Sequence, residues 1–266
     1  MVIDGGTRLM GVIGDPIAQI RTPEAINPIF ARAGANILCV PVHVTASGLG
    51  AAISGLREMR NVIGFGITLP HKEAMLELCD SLDPAAESVG AVNVVRRETD
   101  GSFRGYQFDG PGFVGGLKAA GHDPAGRDCL VVGAGGAARA IVLALLQAGA
   151  LRVGVANRTA ARAEALAAAV NAALGDSRAA VVAARPLPGQ LVVNATSLGL
   201  SPSDPLPVDP DLLDASMTVA EVIAKPETTR LLQEAARRGA GVHSGMRMIE
   251  HQVGLIAEHM LALHGP

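Results

Sequence analysis

The 266-residue chain is poor in aromatic side chains, with five Phe, one Tyr and no Trp. It also lacks any block of basic residues: 25 Asp and Glu outnumber 22 Lys and Arg, for a formal charge of −3. Nucleic-acid recognition draws on basic patches and stacking aromatics, so no nucleic-acid partner is expected. Long hydrophobic runs are missing too. The longest, Ala140 to Leu151, is too short to cross a bilayer and is broken by Gln147. The N-terminal segment shows no basic stretch leading into an apolar run and a cleavage site. No membrane partner is expected, and the expected location is cytoplasmic. Cysteine is scarce as well. Cys39, Cys79 and Cys129 each lie among apolar residues, and such an odd, scattered set reads as reduced core thiols and not as a disulfide framework. No His, Cys or Asp cluster has the spacing of a metal site.

What is abundant is small and apolar. Hydrophobic residues make up 49% of the chain, enough to fill one large core or two modest ones. Strand-like runs fall at Leu9–Ile13, Ile37–Val44, Gly64–Thr68, Cys129–Val132, Leu151–Ala156, Val181–Ala183, Leu191–Asn194 and Thr218–Val222. Between them lie stretches of helical spacing such as Ala137–Gln147 and Thr159–Ala173. This alternation predicts an α/β protein with parallel sheets covered by helices on both faces. Composition shifts near Tyr106–Pro124, from a half rich in polar, potentially reactive residues to one rich in Ala, Gly and Val. A boundary is expected near Asp109, with a helix over Gly112–Ala120 as the hinge element. The last segment, Met246–His264, reads as one amphipathic helix.

The most specific local motif is Gly133-Ala-Gly135-Gly136-Ala137-Ala138, a Gly-x-Gly-x-x-Ala directly after an apolar strand and before a helix. Gly133 permits a tight turn and Gly135 a close backbone approach to a pyrophosphate. Ala138 is small enough for the helix to pack on the strand. The phosphates would then lie at the positive end of that helix. A structural turn is the bland alternative, but the strand and helix context favours a dinucleotide. The next strand ends in Asn157-Arg158-Thr159, with Arg162 one turn later. An NAD site usually has an acidic residue here for the ribose hydroxyl. Two guanidinium groups and a hydroxyl suit a 2′-phosphate instead, so NADP is expected. Thr159 is also expected to cap the following helix.

Two residues of the first half suit acid/base work on a hydroxyl group. Lys72 follows the strand end and turn Thr68-Leu-Pro-His71, and Asp109 precedes the hinge helix. Both are expected at the crevice outside carboxyl ends of strands. The plainer readings are a solvated lysine and a helix-capping aspartate. His71 reads as a solvated or capping side chain turned away from Lys72.

Seven ordered segments together resemble the shikimate dehydrogenase family: Gly14-Asp15-Pro16-Ile17, Thr68-Leu-Pro70-His-Lys72, Gly90-Ala91-Val92-Asn93, Asp109-Gly110, Gly133 to Ala137, Asn157-Arg158-Thr159 with Arg162, and Asn194-Ala-Thr196-Ser197-Leu-Gly199. Gly245, Met248 and Gln252 fit the entry to the family's C-terminal helix. The resemblance implies a substrate domain over residues 1–108, with helix 246–266 packing back on it, and a Rossmann NADP-binding domain over 109–245. It implies reversible NADPH reduction of 3-dehydroshikimate, with Lys72 and Asp109 catalytic and Thr22, Thr68, Asn93 and Gln252 on the substrate. Cofactor contacts implied are Gly133, Gly135, Gly136, Ala137, Asn157, Arg158, Thr159, Arg162, Thr196, Ser197, Val222 and Gly245.

Departures from the family pattern fall on the substrate side. Of two serines expected to hold the substrate carboxylate, one is Ile20 here and the other Thr22. Gly66 replaces Asn, Gln107-Phe108 replaces Asn-Thr, Ala224 replaces Tyr and Ser244 replaces Asp. A hydrogen bond to a charged group is worth roughly 1.5–3 kcal/mol, so a lost hydroxyl weakens carboxylate binding unless Arg21 turns inward as a bidentate partner. The expected substrate is thus a small cyclic hydroxy acid, shikimate or a close analogue, acted on by a monomer or homodimer. The alternatives are a quinate or other cyclic-polyol dehydrogenase, and a non-catalytic NADP(H)-binding sensor.

Overall fold

The computed structural model describes residues 2–265. The chain divides into two compact units, residues 1–108 with 252–266, and residues 109–251. Among the described residues no helix is long and apolar enough to cross a membrane.

The first unit is built from β1 (Arg8–Gly14), α1 (Thr22–Arg32), β2 (Ile37–His43), α2 (Leu49–Glu58), β3 (Val62–Ile67), β4 (Ser81–Leu82), α3 (Pro84–Val89), β5 (Val94–Arg97) and β6 (Phe103–Tyr106). Its sheet has the order β2-β1-β3-β5-β6-β4. β3 is buried at every position, as a strand covered on both faces must be. Phe65 and Phe103 meet edge to face with centroids 5.1 Å apart at the centre of this core.

The expectation of purely parallel sheets fails here. β5 runs antiparallel to both β3 and β6, because Glu98-Thr-Asp-Gly-Ser102 folds back as a tight hairpin. Glu98 N–H donates to the Ser102 carbonyl at 2.8 Å, and the Asp100 carboxylate accepts from the Ser102 hydroxyl at 2.6 Å.

The second unit comprises α4 (Asp109–Ala119), β7 (Asp128–Val132), α5 (Gly136–Gln147), β8 (Arg152–Ala156), α6 (Ala160–Leu174), β9 (Ala179–Val181), β10 (Leu191–Asn194), β11 (Thr218–Glu221), α7 (Arg230–Arg237) and β12 (Gly241–His243). All strands are parallel, in the order β12-β11-β10-β7-β8-β9. The last helix, α8 (Gly245–His264), starts in this unit and ends in the first. β9 lies two residues before the expected Val181–Ala183, because Arg178 anchors its start with bonds to the Leu146 and Ala150 carbonyls.

The three cysteines are free thiols, and burial pushes each up to about 12. His243 is 0% exposed, packed against Phe113 and His122, and neither ring nitrogen finds a partner among the described residues. Burial, then the neighbouring His122, holds it down to about 4 from the ordinary 6.5. The unfolded chain therefore binds a proton that the native unit refuses, and stability present above pH 6.5 drains as pH falls toward 4. The expected loss from this ring is about 3 kcal/mol. Urea midpoints at pH 7.5 and 4.5 should show that part of the acid limb vanishing in His243→Leu.

Candidate active site

In the first unit the candidate residues collect at the carboxyl ends of β1 and β3. Thr68 N–H donates to the Ile13 carbonyl at 2.9 Å, and Asp15 N–H to the Leu69 carbonyl at 2.9 Å, so the two strand ends are laced together. A Cβ on Gly14 would come within 2.5 Å of Thr68 Cγ2 and 3.5 Å of Ile20 Cδ1. Only glycine lets those side chains close over this point. The turn after Thr68 holds Lys72, whose carbonyl accepts from Val92 N–H at 2.9 Å, while Ile67 N–H donates to the Asn93 carbonyl at 2.7 Å. Thr68, Lys72 and Asn93 are thereby brought together. The Asn93 side chain is buried, and its Oδ1 accepts from Phe108 N–H at 2.8 Å, fixing the residue before Asp109. Gln107 is buried with its amide donating to the Ala91 carbonyl at 3.1 Å.

Gln252 lies on α8, in the same unit. Further along α8, Met260 packs against Gly64 of β3, and His264 against the Arg97 carbonyl at 2.9 Å. The helix therefore runs antiparallel to β3. Gln252 lies eight residues before Met260 on the same helix, about 12 Å of rise toward the carboxyl end of β3.

Two candidates behave differently. Thr22 opens α1 and Arg21 precedes it, but Arg21 is engaged by Glu24 at 2.6 Å instead of turning inward. His71 is neither solvated nor a cap. It is 1% exposed with Nε2 2.7 Å from the Val44 carbonyl, just past the end of β2.

The second unit gathers its candidates along one edge. Gly133 follows β7 with φ +122°, and a Cβ there would meet the Ala195 carbonyl oxygen at 2.6 Å. The Ala195–Ser197 loop thus backs directly onto the glycine turn. Gly135 precedes α5 in extended conformation with open space where a side chain would stand, leaving the first-turn amides approachable. Thr196 donates to Asn194 Oδ1 at 2.7 Å, and Leu198 N–H donates to Thr196 Oγ1 at 3.0 Å. A Cβ on Gly245 would strike the Val222 carbonyl carbon at 2.5 Å, so those two residues also abut. Arg158, Thr159 and Arg162 are exposed beyond β8. Thr159 precedes α6, but its side chain makes no cap bond. The Asn157 amide instead ties down the Thr159 carbonyl at 2.9 Å. Asp109 opens α4 and is 2% exposed.

Comparison with known proteins agrees on both units. Residues 12–95 match the family model described as the shikimate dehydrogenase substrate binding domain, and residues 118–181 match that of shikimate / quinate 5-dehydrogenase. The NADP(+) shikimate dehydrogenase of Rubrobacter xylanophilus is 40% identical over 94% of this chain and 89% of its own length. The chain belongs to the shikimate dehydrogenase family. Membership makes it an oxidoreductase with a Rossmann-type unit. Among solved structures, the shikimate 5-dehydrogenase of Thermus thermophilus in complex with NADP(H) and shikimate is similar with TM-score 0.84 and 32% identity, covering 98% of this chain and 95% of that one. The ligand-free 5-ketofructose reductase of Gluconobacter sp. strain CHM43 has TM-score 0.84 and 34% identity, with the same coverages.

Two features of this family member escape the sequence reading. Asp15, just past β1, and His43, the last residue of β2, pair at 2.7 Å. Glu221 is 0% exposed at the end of β11. In sequence it is only the last polar residue of an apolar run, and a carboxylate at that point was the available signal.

Proposed function

We propose that the protein is an NADP-dependent oxidoreductase of the shikimate dehydrogenase type, catalysing reversible hydride transfer between NADPH and 3-dehydroshikimate or a close analogue. The observation that supports it most is an order: Gly245, Val222, Thr196, Gly133 and Arg158 follow strands β12, β11, β10, β7 and β8 in their sheet sequence. At about 4.8 Å per strand this row spans about 19 Å of carboxyl edge, where open α/β sheets bind ligands. Gly133, Gly135, Gly136 and Ala137 would cradle the pyrophosphate, Asn157, Arg158, Thr159 and Arg162 the 2′-phosphate, and Thr196, Ser197, Val222 and Gly245 the nicotinamide end. Bound NADP supplies the hydride acceptor and NADPH the donor. Lys72 Nζ takes the hydroxyl proton on oxidation and returns it on reduction, and the Asp109 carboxylate orients that ammonium. Thr68, Asn93 and Gln252 hold substrate hydroxyls, and Thr22 its carboxylate. The protein acts in the cytoplasm as a monomer or homodimer.

A second reading concerns the substrate alone. Ile20 lies close to Thr68, and Arg21 is spent on Glu24, which leaves few donors for a carboxylate and favours a polyol or keto sugar. Initial rates with shikimate, quinate and fructose (the product of 5-ketofructose reduction), each with NADP and NAD, test both. Saturable turnover with shikimate and NADP carries the first reading. Turnover confined to the carboxylate-free alcohol carries the second, and no turnover with any sinks both. Arg158→Ala should raise the KM for NADP roughly tenfold to a hundredfold and leave that for NAD unchanged.

A further inference from the structure

We propose that Glu221 is a positioning residue: its carboxylate form, and not its acid form, holds the Ala195–Gly199 loop in the shape that receives NADP(H). This rests on the reading of Thr196 and Ser197 as cofactor contacts.

Glu221 lies at the carboxyl end of β11, buried, and everything facing it donates. Asn194 Nδ2, from the end of β10, lies 3.1 and 2.9 Å from its two oxygens. Thr229 Oγ1, the cap of α7, donates at 2.8 Å. The backbone N–H of Ile223 adds a third bond. The same Asn194 amide group donates to the Leu198 carbonyl at 2.8 Å, and its Oδ1 accepts from Thr196 N–H and Oγ1 at 3.1 and 2.7 Å. Glu221 therefore fixes the orientation of Asn194, and Asn194 holds both ends of the loop that backs onto Gly133.

A proton on Glu221 puts a donor opposite the Asn194 amide and the Ile223 N–H, which can only donate, and leaves the Thr229 hydroxyl as the one neighbour able to turn and accept. Among the described residues no charged side chain faces the carboxylate to bias it, and His243, on the neighbouring strand beside Ala220, is held neutral by burial. Burial raises Glu221 to about 7 against these hydrogen bonds, so the two forms exchange near neutrality. Above that range the carboxylate accepts all three donors. Below it the network loses a partner and the loop loosens.

Glu221→Gln imitates the acid form, because an NH2 group replaces one acceptor opposite Asn194 Nδ2. Hydrogen exchange without ligand at pH 8 should show faster exchange over residues 195–199 in Glu221→Gln, with β7 and β8 unchanged. NADPH affinity, read by fluorescence, should be about tenfold weaker in Glu221→Gln at pH 8.5 and within about threefold of wild type at pH 6. Protonation of the coenzyme's own phosphate is common to both proteins and cancels in the ratio. Thr229→Ala removes one donor to the carboxylate and should move the wild-type break to higher pH. A pH-independent ratio would reduce Glu221 to a structural part and overturn the proposal, as would unchanged exchange over 195–199. Failure of wild-type protein to bind NADPH would instead sink the cofactor reading, while the ligand-free exchange still decides whether the loop depends on Glu221.

Discussion

Lys72→Ala is expected to lower kcat by about three orders of magnitude while the dissociation constant for NADP stays within about twofold. The expectation follows from what the side chain does and what the backbone keeps doing without it. The local fold rests on main-chain bonds, with the Lys72 carbonyl accepting from Val92 N–H and Met75 N–H donating to the His71 carbonyl at 2.9 Å. Buried His71 nails the same turn to the Val44 carbonyl. None of these uses the lysine side chain, so the turn itself should keep its shape in the variant. The cofactor candidates lie in the other unit and need no help from Lys72 to form. What is lost is the group proposed to move the hydroxyl proton, and with it most of the turnover. Lys72→Met keeps the aliphatic stem and should fail equally. Retention of wild-type kcat in either variant would remove Lys72 from the chemistry, whatever the substrate proves to be.

How far such a site is legible in sequence depends on whether a residue is chosen by its own backbone or by distant partners. The glycine turn is legible because Gly133 meets a local demand, a positive φ between an apolar strand and a helix. Thr68-Leu-Pro-His-Lys72 is legible as a strand end followed by a turn. The β5–β6 hairpin is not, because Val94-Val-Arg-Arg97 carries two charges where a central strand should be apolar. Those arginines are satisfied by tertiary contacts: Arg96 by Glu98 and Tyr106, and Arg97 by the Val62 carbonyl at 2.7 Å. His71 is misjudged for the same reason, since its acceptor lies 27 residues away. Glu221 is the extreme case. Asn194, 27 residues before it, and Thr229, eight after it, make a buried carboxylate tolerable, and no local pattern announces them. Composition separates the two kinds of failure. It assigns the fold class through apolar periodicity, whereas the polar interior is written in pairs.

Gly133→Val should be the most damaging single change in the dinucleotide unit. Three costs combine at that position. A φ of +122° is open to glycine and strained for a β-branched residue, costing about 1–3 kcal/mol. The new Cβ would sit 2.6 Å from the Ala195 carbonyl oxygen, which is backbone and cannot rotate aside. The third cost is indirect: relief requires the turn and the Ala195–Ser197 loop to part, yet Asn194 and Glu221 hold that loop from behind. Because the network resists on one side and the sheet bond from Gly133 N–H to the Ala156 carbonyl at 2.8 Å resists on the other, the strain falls on the turn proposed to receive the phosphates. NADP affinity should drop by about two orders of magnitude, with a lowered melting temperature for the whole protein. The contrast is Gly135→Ala. Its added methyl meets no protein atom within 4 Å, so stability should hold while affinity falls, the methyl occupying space proposed for the pyrophosphate. Isothermal titration beside thermal melts separates the two variants. Should Gly135→Ala bind NADP as tightly as wild type, the close backbone approach assigned to that glycine would be wrong.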